Sequence, residues 1–199
     1  MATLIAGILW FDKAPSLERS PLPLMVQAMG EWAKCAQTHT SERLQFAVAS
    51  RSGLASGSGP NGQITCADLD MAWWTEGSPD AGKAVAPHAL AAALSSEPEL
   101  ATTRLDGEYA YAHWDPTLQE LLLGRDGVGV RPLYYVHVPG HCAAFASLLP
   151  GLLAAKLTPH EVNREVIAKL ATGNFAHGDE TQFTNIRRVM PGETVTLTK

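Results

Sequence analysis

The chain has 199 residues, a net charge of −5 at neutral pH and a hydrophobic fraction of 46%. This composition excludes an intrinsically disordered chain, and the acidic balance excludes the basic surface that nucleic-acid binding requires. A chain of this length buries roughly 70% of the surface that is exposed when it is unfolded, so we expect one domain over residues 1–199. Its three cysteines, Cys35, Cys66 and Cys142, are too widely spaced for a zinc motif or a disulfide framework.

The first half of the chain combines predicted strands with one predicted helix. The apolar run Thr3–Phe11 predicts a buried N-terminal strand, and Arg43–Ala49 predicts a second strand. Between them, apolar residues at helical spacing predict a helix over Leu24–Ala36. The segment Ser50–Gly62 is rich in glycine and predicts a loop, and Asp70–Thr75 predicts a short strand.

The second half predicts a run of strands between helices. Pro87 suits the first turn of a short predicted helix over His88–Leu94. Turn residues then separate four predicted strands, which are Glu108–Trp114, Leu118–Gly124, Pro132–Val138 and Cys142–Ala146. We expect them to form an antiparallel meander in which the first three are adjacent. Helices over Ser147–Ala155 and Glu161–Ala171 and a strand over Glu193–Thr198 are predicted to close the chain.

The segregation of strands from helices predicts an α+β fold rather than a parallel sheet with crossover helices.

The apolar N-terminal run is too short to span a membrane and has no basic residue before Lys13, so it fails as a signal peptide. We therefore expect a cytoplasmic protein that binds neither membranes nor nucleic acid.

Several blocks of the second half occur in the order found in one enzyme family. The blocks are Leu105–Ala112, Leu121–Asp126, Gly129–Tyr135, Phe145–Ser147 and Thr181–Gly192, with weaker support from Ile5–Ile8. Over Leu105–Leu197 this succession resembles the N-terminal glutaminase domain of the asparagine synthetase family, a class II glutamine amidotransferase. The resemblance implies the N-terminal-nucleophile fold, an αββα sandwich of two antiparallel sheets flanked by helices. It also implies that Arg125 and Asp126 shape a turn between strands.

The resemblance further implies a nucleophile at the first residue of the mature chain. The family has a cysteine there, and the α-amino group of that same residue is the base. Aligning Ile5–Ile8 with the family's opening strand puts Thr3 at this position. Because Thr3 has a free amino group only if Met1 and Ala2 are both removed, we expect an ordinary strand residue. A working threonine nucleophile is the open alternative.

A nucleophilic cysteine inside the chain is a second alternative. It would need a histidine base, and the candidates are His39, His88, His113, His137, His141, His160 and His177. We expect Cys35, Cys66 and Cys142 to be inert, because buried thiols usually behave as small apolar side chains.

The glutamine-binding side of the family's pocket has few matches. Asn61 and Gly62 begin a segment that partly matches the family's asparagine-glycine-glutamate-isoleucine-tyrosine-asparagine loop. In the family this loop donates hydrogen bonds to the oxyanion. An Asn–Gly pair is also a common turn signal. Arg43 is the best match to the arginine that grips the glutamine carboxylate, and Asp80 stands near a second substrate position without the family's neighbours. We expect the loop Ser50–Gly62 to leave no carboxylate clamp.

The missing cysteine nucleophile and the missing pocket residues imply a degenerate glutaminase domain. Such a domain acts as a scaffold, as in β-lactam synthetases and lasso-peptide macrolactam cyclases. In those enzymes a C-terminal domain activates a carboxylate with ATP and Mg²⁺ and forms an amide with an internal amine. We expect such a synthetase domain beyond Lys199 as a partner in cis, with no metal or cofactor bound by the present domain. An active glutaminase that supplies ammonia for asparagine synthesis and a stand-alone interaction module stay open, as do a homodimer and a peptide-substrate partner.

Overall fold

A computed structural model describes residues 3–50, 55–174 and 178–199. Within these ranges the strands, in chain order, are β1 (Leu4–Trp10), β2 (Ala36–Thr40), β3 (Leu44–Ala49), β4 (Ser56–Ser58), β5 (Ile64–Trp74), β6 (Leu105–Asp115), β7 (Glu120–Arg125), β8 (Tyr134–Val138), β9 (Cys142–Ala146), β10 (Arg187–Arg188) and β11 (Thr194–Leu197). The α-helices are α1 (Leu22–Ala28), α2 (Pro87–Ser96), α3 (Pro98–Thr103), α4 (Leu149–Ala155) and α5 (Arg164–Ala171). None of the helices in these ranges combines the length and apolar character needed to cross a membrane.

The described strands form two antiparallel sheets. The larger sheet has six strands in the order β10-β8-β9-β1-β3-β2, and the smaller sheet has five in the order β11-β7-β6-β5-β4. Side chains from one face of each sheet, among them Ile5 and Phe145 from the larger and Ala112 and Trp114 from the smaller, meet in a shared core. We call these facing surfaces the inner faces of the sheets.

The helices cover the two outer faces. Leu22 of α1 and Leu152 of α4 pack against Ile8 on the outer face of the larger sheet. Leu90 of α2 packs in the cluster that contains Tyr111 on the outer face of the smaller sheet. The predicted α+β class and the predicted αββα sandwich are therefore confirmed. Burial of these apolar surfaces stabilises the layers by about 25 cal/mol per Å².

The predicted helix over Leu24–Ala36 is wrong in its second half. Helix α1 ends at Ala28, and Gly30 has a positive φ of 70°, a backbone conformation that glycine adopts at little steric cost. A 3-10 helix and then β2 follow, and β2 pairs with β3 as an edge strand of the larger sheet. Strand β4 similarly lies inside the predicted loop Ser50–Gly62, of which residues 51–54 fall outside the described ranges.

The predicted meander is also wrong at one connection. Strands β6 and β7 are adjacent in the smaller sheet, whereas β8 pairs with β9 in the larger sheet. The chain between β7 and β8, residues 126–133, therefore crosses from one sheet to the other. Strand alternation could not reveal this crossing, because it reports which side chains share a face and not which sheet a strand joins.

The carboxylate of Asp126 organises the crossing. Its Oδ1 accepts hydrogen bonds from the backbone N–H groups of Val128, Gly129 and Val130 at 3.2, 2.6 and 2.9 Å. Its Oδ2 accepts one from Arg131 N–H at 2.9 Å, and the residue is fully buried. Four donors thus compensate a charge that burial alone would make very unfavourable.

The guanidinium group of Arg125 complements this arrangement by binding carbonyl groups. Nε donates to the carbonyl oxygen of Arg131 at 2.8 Å, and Nη2 donates to that of Gly129 at 2.6 Å. Nη1 donates to the carbonyl oxygen of Val189 at 2.8 Å, which ties the segment before β11 to the crossing. The turn expected at Arg125 and Asp126 is thus the crossing itself.

We predict that Asp126→Ala lowers the free energy of unfolding by about 3 kcal/mol or more, because four backbone N–H groups lose a charged acceptor that is itself buried. Urea denaturation of the 199-residue chain measures the effect. The matched control is Asp12→Ala, which removes an exposed carboxylate paired only with Lys199 among the described contacts and should cost less than about 1 kcal/mol. Similar losses in the two variants would show that the crossing does not depend on Asp126.

Candidate functional site

Thr3 lies directly before β1 on the inner face of the larger sheet. It is only 3% exposed, and its Oγ1 donates a hydrogen bond to Ser50 Oγ at 3.2 Å. Ser50 follows β3, which runs antiparallel to β1, so the two residues meet at the same end of the sheet. Strand alternation puts them on the face that carries Ile5 and Val48 of the shared core.

The opening of β1 is also held from its other side. The backbone N–H of Ile5 donates to Ser147 Oγ at 2.9 Å, and the N–H of Ser147 donates to the carbonyl oxygen of Ile5 at 2.8 Å. Ser147 directly follows β9, the other neighbour of β1. Thr3 is therefore positioned by a strand that is paired on both edges.

Arg43 lies at the opposite end of the same pair of strands. The register pairs Leu9 with Leu44, and Trp10 N–H donates to the carbonyl oxygen of Arg43 at 2.9 Å. Seven steps along an extended strand separate Arg43 from Ser50, which corresponds to roughly 20 Å. The structure therefore does not bring Arg43 to Thr3, and Arg43 does not form a carboxylate clamp beside it.

Asn61 and Gly62 form the turn that leads into β5. Gly62 has a positive φ of 81°, and Asn61 N–H donates to Gln63 Oε1 at 2.8 Å. Gly62 and Arg43 line one cavity of about 300 Å³ together with Trp114. Two of the sequence-predicted binding residues are thus close together, but at the end of the sandwich away from Thr3.

Asp80 is part of the surface loop between β5 and α2. Its carboxylate accepts a hydrogen bond from Lys83 Nζ at 2.7 Å, and both side chains are at least half exposed. Exposed pairs of this kind contribute little to stability. Nothing in this contact links Asp80 to Thr3.

Sequence reasoning missed a partly buried ion cluster formed by Asp68, Glu108 and Arg131. Arg131 Nη1 lies 3.5 Å from Asp68 Oδ2, and Nη2 donates to Glu108 Oε2 at 3.0 Å. A signal for it existed, because Asp68 continues the alternation of Ile64 and Cys66 on the inner face. A carboxylate in such a position requires a cationic or hydrogen-bonding partner.

Two sets of contacts place the ion cluster at the same end as Thr3. In the smaller sheet, Ala67 N–H donates to the carbonyl oxygen of Ala55 at 2.8 Å, and Ala55 lines a cavity of about 140 Å³ with Ser50. In the larger sheet, β8 begins three residues after Arg131. Its first residue, Tyr134, pairs with Ala146 at the end of β9, next to Ser147. The hydroxyl of Thr3 and the ion cluster therefore share one end of the inner face.

The two core cysteines have the properties expected of inert thiols. Burial raises the pKa of Cys66 and raises that of Cys142 to about 11, so the thiolate fraction at neutral pH is small. Neither thiol hydrogen-bonds to a histidine within the described residues. Cys35 is partly buried in the 3-10 helix after α1.

Within the described ranges, no group of three or more His, Cys, Asp or Glu side chains is arranged to hold a metal ion.

The histidines near the core contact other groups. His113 Nδ1 lies 2.8 Å from Thr65 Oγ1, and burial lowers the pKa of His113 to about 4, so its ring is neutral at pH 7. His39 stacks on Phe46 with ring centroids 5.0 Å apart. His177, another candidate base, lies outside the described residues.

The family of the chain is shown by its sequence match. A model of the glutamine amidotransferase domain family matches residues 88–199, which is more than half of the chain. The matched residues include the crossing at Asp126 and the strands on either side of it, β7 and β8. This chain belongs to the glutamine amidotransferase domain family.

Individual relatives are more distant. The chain is 32% identical to the amidase chyE of Penicillium rubens over 90 residues, which cover 45% of this chain and 13% of that protein. It is 27% identical to asparagine synthetase [glutamine-hydrolyzing] 1 of Bacillus subtilis over 99 residues, which cover 50% of this chain and 15% of that protein. The solved structure of glutamine phosphoribosylpyrophosphate amidotransferase from B. subtilis aligns with 98% of this chain and 49% of that chain, at 11% identity and a TM-score of 0.48. The matches thus span a small part of the two curated relatives.

We predict that the stability of the chain falls as the pH is lowered from about 6.5 to about 4 because of His113. The folded state keeps this ring neutral, whereas the unfolded state binds a proton below pH 6.5, so acid favours unfolding by about 3 kcal/mol at most. Urea denaturation at several pH values measures this. His113→Gln should flatten the profile over this range and His39→Gln should not; an unchanged profile in His113→Gln would contradict the assignment.

Proposed function

We propose that this domain does not hydrolyse glutamine and acts as the scaffold of an asparagine-synthetase-type, ATP-dependent amide-forming enzyme. The observation that carries the proposal is the residue before β1. Thr3 supplies a hydroxyl where glutaminases of this type use a thiol, and that hydroxyl is buried against Ser50. A hydroxyl needs an activating base, whereas a few per cent of an ordinary thiol is already thiolate at neutral pH.

The position of Thr3 within the chain adds to this argument. With Met1 and Ala2 ahead of it, the nitrogen of Thr3 is an amide and cannot act as the base. The nucleophile and the base of the family mechanism are then both missing. The distance of Arg43 from Thr3 removes the candidate carboxylate clamp as well.

The finer proposal concerns the parent enzyme. We infer that a C-terminal synthetase domain in cis binds ATP and Mg²⁺, activates a substrate carboxylate and transfers it to an internal amine, as a macrolactam cyclase does. Such chemistry needs no ammonia, which agrees with a glutaminase domain that lacks its thiol. The family membership of residues 88–199 and the match to an asparagine synthetase support this direction.

We predict that the purified chain releases no glutamate from glutamine above background, and that Thr3→Ala behaves identically. Mass spectrometry of the product measures this, with the B. subtilis asparagine synthetase as the positive control. Turnover that disappears in Thr3→Ala would identify a working threonine nucleophile. Turnover that survives in Thr3→Ala but is lost on replacing Cys35, Cys66 or Cys142 would identify an internal thiol.

Four exposed apolar side chains lie on segments that carry or adjoin the ion cluster. They are Met71, Trp73, Val128 and Val130, whose exposures are 58%, 41%, 83% and 48%. We call these four side chains the mouth patch, because Met71 pairs with Glu108 of the ion cluster and Val130 precedes Arg131 of the cluster. Neighbouring apolar side chains that remain this exposed commonly mark interaction surfaces. We propose that the synthetase domain covers the mouth patch.

We predict that Val128→Asp weakens the contact between the two domains in the polypeptide that carries the synthetase. Limited proteolysis between the domains should become faster, while the unfolding free energy of the 199-residue chain changes by less than about 0.5 kcal/mol because the side chain is exposed. Leu24→Asp, on α1 and 51% exposed, is the matched control and should leave proteolysis unchanged. Equal effects of the two variants would place the contact elsewhere.

A further inference from the structure

A cavity of about 360 Å³ opens on the outer face of the smaller sheet, away from Thr3. Its floor includes one row of cross-strand neighbours, in which His113 pairs with Leu122 and Leu122 pairs with Thr196. Its wall is formed by the end of α2 and by α3, including Leu94. We call it the outer cavity, and its volume lies within the range of small-molecule sites.

A largely buried histidine side chain lines the outer cavity. His113 lines the cavity and is only 3% exposed. Its Nδ1 is occupied by Thr65 Oγ1 at 2.8 Å. Nε2 has no hydrogen-bond partner among the described residues, so it is the nitrogen that remains for a bound molecule. Because the ring is neutral at pH 7, Nε2 can accept a hydrogen bond when Nδ1–H donates to Thr65.

The charges that line the outer cavity all have one sign. Glu99, Asp115 and Glu120 contribute carboxylates, and no lysine or arginine is among the described residues that line the cavity. Asp115 is held in place by Gln63 Nε2 at 3.1 Å and by the backbone N–H of Thr117 at 2.7 Å. Burial opposes its ionisation, but the hydrogen bonds outweigh that effect and lower the pKa of Asp115, so it is negatively charged at neutral pH.

Apolar side chains provide the remaining surface. Leu94 and Pro98 lie on the helical wall, Leu122 lies on the floor, and Leu118 lies at the rim. A ligand that matches this lining carries a positive head that donates hydrogen bonds and a short apolar chain. The lining disfavours carboxylates and phosphates, because their charge has the same sign as that of the acidic side chains.

We propose that the outer cavity binds a primary alkylammonium group, with the ammonium donating to His113 Nε2 beside the carboxylates and the alkyl chain against Leu122. The site is independent of glutamine chemistry, because β6 presents His113 on the face opposite to the inner face. It goes beyond the scaffold function proposed above, and it requires no residue near Thr3.

The test is an NMR titration of the 199-residue chain with n-butylammonium chloride at pH 7 and constant ionic strength. The imidazole resonances of His113 should shift and saturate. n-Butanol, which has the same chain without the charge, should bind at least about tenfold more weakly, and n-butyrate should not bind. Absence of a saturable shift, or equal binding of n-butanol, would overturn the proposal.

Two variants separate the charge from the histidine. Glu99→Gln combined with Glu120→Gln should weaken n-butylammonium binding about fivefold, as expected for partly exposed ion pairs, without disturbing the core. The matched double variant Glu18→Gln with Glu161→Gln removes two exposed carboxylates elsewhere and should bind like the native chain. His113→Phe should abolish binding. If that variant does not fold, the glutamine variants decide, and native affinity in the Glu99/Glu120 pair would refute the site.

Discussion

The buried carboxylate of Asp126 is the constraint on which the arrangement of the sandwich depends. The chain must leave the smaller sheet after β7 and enter the larger sheet at β8, and the backbone groups of the intervening loop cannot pair within either sheet. Asp126 accepts four of their N–H groups, and Arg125 donates to three carbonyl groups, one of them at Val189. Because a buried charge is tolerated only with such partners, these hydrogen bonds favour the observed conformation of the crossing.

The same crossing determines the electrostatics of the inner face. It contains Arg131, whose guanidinium group lies between Asp68 and Glu108 at the end of the sandwich that contains Thr3. Removing one member would leave an uncompensated charge, so the three side chains act as a unit. The glutaminase framework is therefore kept by structural ion pairs, while the residue before β1 offers a hydroxyl engaged with Ser50.

Strand β6 links the inner face to the outer cavity. Its alternation directs Ala112 and Trp114 into the shared core and His113 to the opposite face. A change in the outer cavity can therefore be made without changing the inner face, since successive side chains of a strand point to opposite sides. This separation lets one sheet support the sandwich through one face and line the outer cavity, the proposed alkylammonium site, through the other. Thr65, on the neighbouring strand, orients the imidazole ring.

The sequence by itself determined the family, the α+β class and most individual strands and helices, because alternation, helical spacing and the blocks around Asp126 are local patterns. It also predicted a strand that opens the chain at Thr3, one residue before the observed start of β1. Only the tertiary structure decided that β8 joins the larger sheet and that Arg43 lies far from Thr3. It alone paired Asp68 with a distant arginine. These outcomes depend on which strands become neighbours, and that choice is made by contacts between segments far apart in the chain, which a two-residue repeat does not encode.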